Sequence, residues 1–266
     1  MSDTATLLID RPFASGLEAR RFFPSAAHEE ALARLDYLVQ HRSRLGLLSG
    51  ATGSGKSLVL EVAARGWRRA GHAVALVSLP GLSTHEFLWQ LACAWQCPVL
   101  GSMPTFALWH AVSDALIVQR CEQRASLLLL DDAERAQGEV VETLERLIHL
   151  GDAQQPRLTL VLAADQRHVT SLNERLLSRA ELRIELSAWD VAETRDYLQA
   201  QLQGQGPLLP VLDMPATERL HELAAGLPRR LNQLANLVLL AAASDGLEIV
   251  DVETVDKVHR ELCVSR

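Results

Sequence analysis

"LLSGATGSGKSLVLEVA", residues 47–63, decides how the rest of this 266-residue chain is read. Gly50, Gly55, Lys56 and Ser57 fit the pattern G-x-x-x-x-G-K-S/T without a mismatch, and Gly53 adds a further flexible point. Glycines at this spacing let consecutive backbone N–H groups face inward as a nest for a β-phosphate. The lysine then reaches β- and γ-oxygens, and the hydroxyl ligates Mg2+. The flanks agree with that mechanism. The short apolar run Leu45–Ser49 reads as a strand, and "KSLVLEVAARGWRRA" reads as a helix with no breaker before Gly66. The expected ligands are therefore ATP and Mg2+. Their cradle is Gly50, Ala51, Thr52, Gly53, Ser54, Gly55, Lys56, Ser57 and Leu58.

Such a loop needs an apolar strand ending in an acid opposite it, because the metal takes a carboxylate facing the serine. "LLLLDD" at residues 127–132 supplies one: Asp131 is the metal-side acid beside Ser57, and Asp132 is the candidate to polarise the attacking water. Further strands read from "HAVALVSL" (72–79), "LTLVLAAD" (158–165) and "LRIEL" (182–186). The strand at 72–79 falls between the two phosphate motifs, as in P-loop ATPases that carry an inserted strand. Helical spacing of Ala31, Leu32, Leu35 and Leu38 marks a lead helix, and Ser83 with Glu86 forms a capping-box pattern ahead of another. Helices also read from "PTFALWHAVSDALIVQRCEQR" and around Val140 to Leu150. Strands separated by helices of this length build a parallel sheet covered on both faces. The fold class is thus α/β, a three-layer P-loop NTPase with a parallel five-stranded sheet.

After Ser187 the texture changes to helical patterns without a convincing strand, as in "WDVAETRDYLQAQLQ" and "PRRLNQLANLVLLAAAS". Residues 1–187 are read as the nucleotide-binding domain and residues 188–266 as a small all-helical one, with "QLQGQGPLLPVLDMP" the nearest thing to a loose loop. Composition sets bounds: 48% hydrophobic residues suffice for a sizeable core, and a net charge of −7 gives no global attraction to nucleic acid. DNA binding would need a local stripe such as Arg229 and Arg230 with Arg65, Arg68 and Arg69. No apolar run approaches the length of about 20 residues that spans a bilayer, and the N-terminus carries no signal-peptide pattern. The expectation is a soluble, cytoplasmic protein. The four cysteines lack zinc spacing and read as buried reduced thiols, and the five tryptophans read as helix-packing residues.

With these motifs in order, the chain resembles AAA+ ATPases, in particular the ExeA/GspA type of secretion-associated ATPase and the related TniB/MuB-like transposition ATPases. "RPFASG…RRFFPSAAHEEALARL" is similar to the family's N-terminal lead, "GATGSGKS" to its Walker A and "LLLLDDAE" to its Walker B, more typically hhhhDEAQ. "LTLVLAADQ" is similar to the sensor 1 strand, "ERLLSRAELRIEL" to the arginine-bearing segment, and "AGLPRRLNQLANLVLLAA" to the G-x-P-R-x-I/L-N helix of the lid.

The resemblance implies roles at the matching positions. Arg229 is the sensor 2 arginine, reaching from a helical lid to the γ-phosphate. Arg179 enters a neighbouring subunit's site as an arginine finger, with Arg175 in reserve. Asp165 orients the lytic water from sensor 1, and Lys56 completes the catalytic set with Asp132. His28 falls in the lead helix that borders the adenine; from the residues alone it is a capping or surface histidine. Two residues depart from the family pattern. Asp132 replaces the usual Glu, one methylene shorter, and a displacement of about 1 Å costs on the order of 100-fold in rate, so slow hydrolysis is expected. Asp165 replaces a neutral polar residue, awkward near a γ-phosphate unless it faces away.

A third departure is length. Family members continue into a membrane span and a peptidoglycan-binding part, whereas this sequence ends at Arg266. The expected function is an AAA+ ATPase that uses slow Mg-ATP hydrolysis to switch conformation and homo-oligomeric state on a protein partner. The alternatives are an ATP-dependent DNA-binding adaptor of the transposition type and a P-loop kinase.

Overall fold

The computed structural model describes residues 22–153, 158–172, 174–203 and 210–264. The chain divides into two compact units, one over Leu17–Ser187 and the other containing Ala188–Arg266. The matched part of the N-terminal lead before residue 22, and residues 204–209 of the loose loop, lie outside the described residues.

The first unit is built on five strands, β1 (Leu45–Gly50), β2 (Ala73–Ser78), β3 (Ser126–Asp131), β4 (Leu158–Asp165) and β5 (Leu182–Leu186). All neighbours pair in parallel, in the order β2-β3-β4-β1-β5. Strands this apolar have no solvent face to offer, and the sheet is covered on both sides. Leu127 and Leu129 enter the core shared with helices α1 (Ala26–Gln40) and α2 (Lys56–Arg69). Leu128 and Leu130, one residue out of phase, enter the core shared with α3 (Thr84–Ala94), α4 (Thr105–Cys121) and α5 (Gly138–Ala153). The period-2 alternation of a strand divides one apolar run between two cores. The five-stranded, three-layer architecture follows the sequence reading. In space the strand lying between the two phosphate motifs is β4, since it pairs with both β1 and β3.

The capping box forms as expected: the Ser83 N–H donates to Glu86 Oε2 at 2.9 Å and the Ser83 hydroxyl to the same oxygen at 2.7 Å. Helix α2 runs through Gly66 to Arg69, within the segment read as helical, because Gly66 lies on the solvent face where a missing side chain removes no packing. One local expectation is corrected: the cysteines are not uniformly buried. Cys93 and Cys121 are exposed and Cys97 is half-buried, since Cys93 sits off the stripe that buries Phe87, Leu88, Leu91 and Ala92.

The second unit carries α7 (Val191–Gln203), α8 (Met214–Ala224), α9 (Pro228–Ser244) and α10 (Val252–Val264), with α6 (Glu174–Leu177) closing the first. Leu198, Leu220, Leu231, Leu234, Val238 and Val255 are among its buried side chains. To this helical region the structure adds a two-residue parallel ladder, β6 (Val211–Leu212) with β7 (Ile249–Val250). Two residues are too few to show alternation, so no pattern in the sequence announces them. Gly226, between α8 and α9, has φ +65 and a Cβ there would lie 2.2 Å from the Trp189 carbonyl oxygen, which explains a glycine ahead of the proline that starts α9.

Candidate nucleotide site

Sheet register brings the motifs to one edge. Gly50 at the end of β1 pairs with Asp165 at the end of β4, and Asp131 ends β3. Carboxyl ends of parallel strands are where such folds place ligands. From Gly50 the chain turns into α2 through Gly53 (φ 86) and Gly55 (φ 107), left-handed conformations that direct successive N–H groups inward. Lys56, buried at 8% exposure, opens the helix, and its Nζ donates to the carbonyls of Gly50 at 2.9 Å and Ala51 at 3.1 Å. Burial pushes the Lys56 ammonium below its ordinary value. The carboxylates of Asp165, Glu134, Asp131 and Asp132, in that order of strength, pull it back up.

The residues fit Mg-ATP on two observations. The Ser54 hydroxyl is buried in the loop with no hydrogen-bond partner, the kind of group that marks a site completed by a ligand or an ordered water. The Ser57 hydroxyl lies close enough to the Asp131 carboxylate to favour its charged form, an all-oxygen pair of the kind hard divalent cations take. Burial raises the Asp131 pKa above the ordinary carboxylate value, with Asp132 adding to it, while the Ser57 contact opposes the shift.

His28 is not the surface histidine that the residues alone suggest. It is buried at 2% exposure, one turn into α1. Its Nε2 lies 3.1 Å from the Ser54 carbonyl and its Nδ1 2.9 Å from the Ser25 hydroxyl, so Nε2 donates to the loop and Nδ1 accepts from Ser25. A Cβ on Gly55 would sit 2.5 Å from Nε2, which leaves the imidazole in direct contact with the phosphate loop. The capping part belongs instead to Ser25, the N-cap of α1.

Asp165, at the end of β4, has its carboxylate engaged by protein partners. It is buried, its Oδ2 accepts from the Thr52 hydroxyl and from Arg167 Nη2 at 2.8 Å, and its Oδ1 accepts from the Arg167 backbone at 2.9 Å. The Arg167 guanidinium and the Thr52 hydroxyl hold its carboxyl far below the usual range. The awkward extra charge is thus committed to clamping the loop.

Asp132 leaves the strand in a left-handed conformation (φ 51, ψ 46) and caps a 3-10 turn, Ala133–Arg135. That turn carries Glu134, which the sequence reading passed over because it looked only at the position directly after Asp131. The "DDAE" string did contain the signal. Arg179 follows α6, half-buried, with its guanidinium 3.4 Å from His149 Nε2 of α5, whereas the side chain of Arg175 is 82% exposed and lies 3.7 Å from Glu145. Arg229 is exposed in the first turn of α9, within the second unit.

A family model for the AAA domain matches residues 39–172, from just before the phosphate loop through the end of β4 and the segment after it, half of the sequence. The chain belongs to the AAA domain family. Among curated proteins this AAA domain chain is 26% identical over 243 residues to General secretion pathway protein A of Aeromonas hydrophila, covering 90% of the chain and 44% of that protein. It therefore spans less than half the length of that relative.

Solved structures share the fold. Cdc6p from Pyrobaculum aerophilum superposes with a TM-score of 0.73 at 16% identity, over 95% of this chain and 70% of that one. The Thermotoga maritima RuvB Holliday junction branch migration motor gives 0.61 at 18% identity, over 91% and 70%. The Aeropyrum pernix ORC1 protein in complex with DNA gives 0.65 at 20% identity, over 92% and 67%. Membership of the AAA domain family carries nucleotide binding with it, in agreement with the cradle. Among the described residues no helix is long and apolar enough to cross a membrane.

Proposed function

We propose that this AAA domain protein is an Mg-ATP-dependent ATPase whose nucleotide state switches its conformation and its homo-oligomeric assembly on a protein partner in the cytoplasm. The observation that carries the reading is the Ser57–Asp131 contact beside a glycine-turned loop that buries Lys56. Together they offer a cation, a line of N–H donors and a metal-binding oxygen pair at one sheet edge. Ser57 and Asp131 would hold magnesium, which would supply neutralisation of phosphate charge. Lys56 is placed to exchange its two carbonyl partners for phosphate oxygens.

Residues 1–187 hold the nucleotide in this reading, and residues 188–266 act as the lid. Arg229 and Arg230 stand in the first turn of α9, which has no acid among its opening residues. Cations at the positive end of a helix are disfavoured, so their placement there supports a task in recognising an anion such as the γ-phosphate. Arg179 is the finger that one subunit offers its neighbour. The likeness to General secretion pathway protein A supports a protein partner over DNA. The Arg65 of the suggested DNA stripe is paired with Glu61 at 2.8 Å, which weakens that stripe.

Phosphate release from Mg-ATP by the purified protein tests the reading. Slow turnover is expected, with free phosphate formed in the absence of any acceptor, and Lys56→Ala is expected to lose nucleotide binding at least 100-fold. Unchanged affinity in Lys56→Ala removes the site assignment, and phosphate transfer only to an added acceptor makes the protein a kinase.

A further inference from the structure

The acid that activates water is assigned above by its position in a motif, whereas the structure singles out a different carboxylate. Glu134 sits on the 3-10 turn after β3, and this turn packs against β4 and the segment Gln166–Ser171 at the same sheet edge as the phosphate loop. Its Oε2 is buried without a hydrogen-bond partner. The other acids of this edge that touch the loop are already engaged: Asp165 by Thr52 and Arg167, Asp131 by Ser57 and by the N–H of Asp132 at 3.1 Å. A carboxylate oxygen withdrawn from water with nothing to accept from is costly to maintain, and such groups in folded proteins mark sites completed by a ligand or by function.

The backbone gives the reason for the exchange of tasks. Asp132 is in the left-handed region, a conformation that non-glycine residues avoid, so the chain bends sharply out of the strand directly after Asp131. Two residues later the turn presents a side chain one methylene longer than that of Asp132. The charge of Glu134 acts on Lys56 more strongly than the charges of Asp131 and Asp132.

We infer that Glu134, and not Asp132, is the catalytic base of ATP hydrolysis in this protein, an inference that rests on the proposed ATPase function. In the step assigned to it, the oxygen of a water molecule bonds to the γ-phosphorus while a water proton passes to the Glu134 carboxylate. The bond from the γ-phosphorus to the bridging oxygen breaks, and its electron pair stays on ADP. Glu134 then gives the proton to solvent.

The test compares the full chain with Glu134→Gln and Asp132→Asn, measuring ATP affinity by calorimetry with Mg-ATP and single-turnover hydrolysis. Glu134→Gln is expected to bind Mg-ATP within threefold of the wild type, to hydrolyse it about 100- to 10,000-fold more slowly, and to return the nucleotide intact from the complex. Asp132→Asn is expected to lose at least tenfold less activity than Glu134→Gln. Wild-type turnover in Glu134→Gln overturns the inference, as does a loss in Asp132→Asn that equals or exceeds it. A Glu134→Gln protein that cannot bind Mg-ATP while the wild type does gives Glu134 a structural part and also overturns it. A wild-type protein that neither binds nor cleaves Mg-ATP overturns the ATPase reading itself, and the inference with it.

Discussion

Asp165 and Asp131 end neighbouring strands, yet their environments push them apart. Asp165 is stabilised as an anion by Arg167 and Thr52, so its folded pKa lies below its unfolded value. The stability it contributes is present above an unfolded pKa of about 3.9 and is lost as pH falls from there toward the folded value. Arg167 is 68% exposed, so solvent screens much of that pair. Asp165→Asn is expected to cost about 1 kcal/mol at pH 7, with the gap to wild type constant down to about pH 5 and closing below pH 4; urea midpoints across this series check it. Asp131 is the opposite case, because burial raises its pKa and its charge is a burden at neutral pH. Asp131→Asn is therefore expected to leave the metal-free protein as stable as wild type or more so, by up to about 1 kcal/mol. The same change removes the rise in thermal midpoint on adding Mg-ATP.

Between elements, the contact with most consequence joins α1 to the loop that opens α2. Burial of Leu35 and Leu38 holds α1 against the sheet, and its first turn delivers His28 to the Ser54 carbonyl. His28→Ala removes two buried hydrogen bonds and opens space beside Gly55, so a loss of about 2 kcal/mol is expected. ATP affinity should fall several-fold, and thermal melts with and without Mg-ATP read both effects. Helical periodicity in "HEEALARLDYLVQ" revealed α1 itself, because burial of every third or fourth residue leaves a local trace. The same periodicity was silent about His28, since nothing in a helix pattern says which loop its first turn will meet. Likewise "LLLLDD" revealed β3 and its terminal acid but not the left-handed bend at Asp132.

For the whole molecule, the proposed switch requires subunits to meet, and it makes turnover depend on concentration. Phosphate release per chain is expected to climb with protein concentration in the wild type. In Arg179→Ala it should stay flat and at least tenfold lower, with ATP affinity retained; a concentration series for both proteins checks this. Salt-sensitive binding to duplex DNA only in the presence of ATP would instead favour the adaptor reading. The amino-acid sequence alone determined the phosphate loop, the acid-ended strand, the alternation of strands and helices, and the helical character of the C-terminal region. Each of these is a requirement of local backbone geometry or of side-chain period and is written in neighbouring residues. Only the tertiary structure decided that Asp165 clamps Thr52, that His28 props the loop, and that Oε2 of Glu134 is left buried and unpartnered. Those relations depend on the register that sets Gly50 beside Asp165 and on turns that carry chain-distant side chains to one edge. Such long-range placement follows from packing the whole sheet and leaves no periodic mark in any one segment.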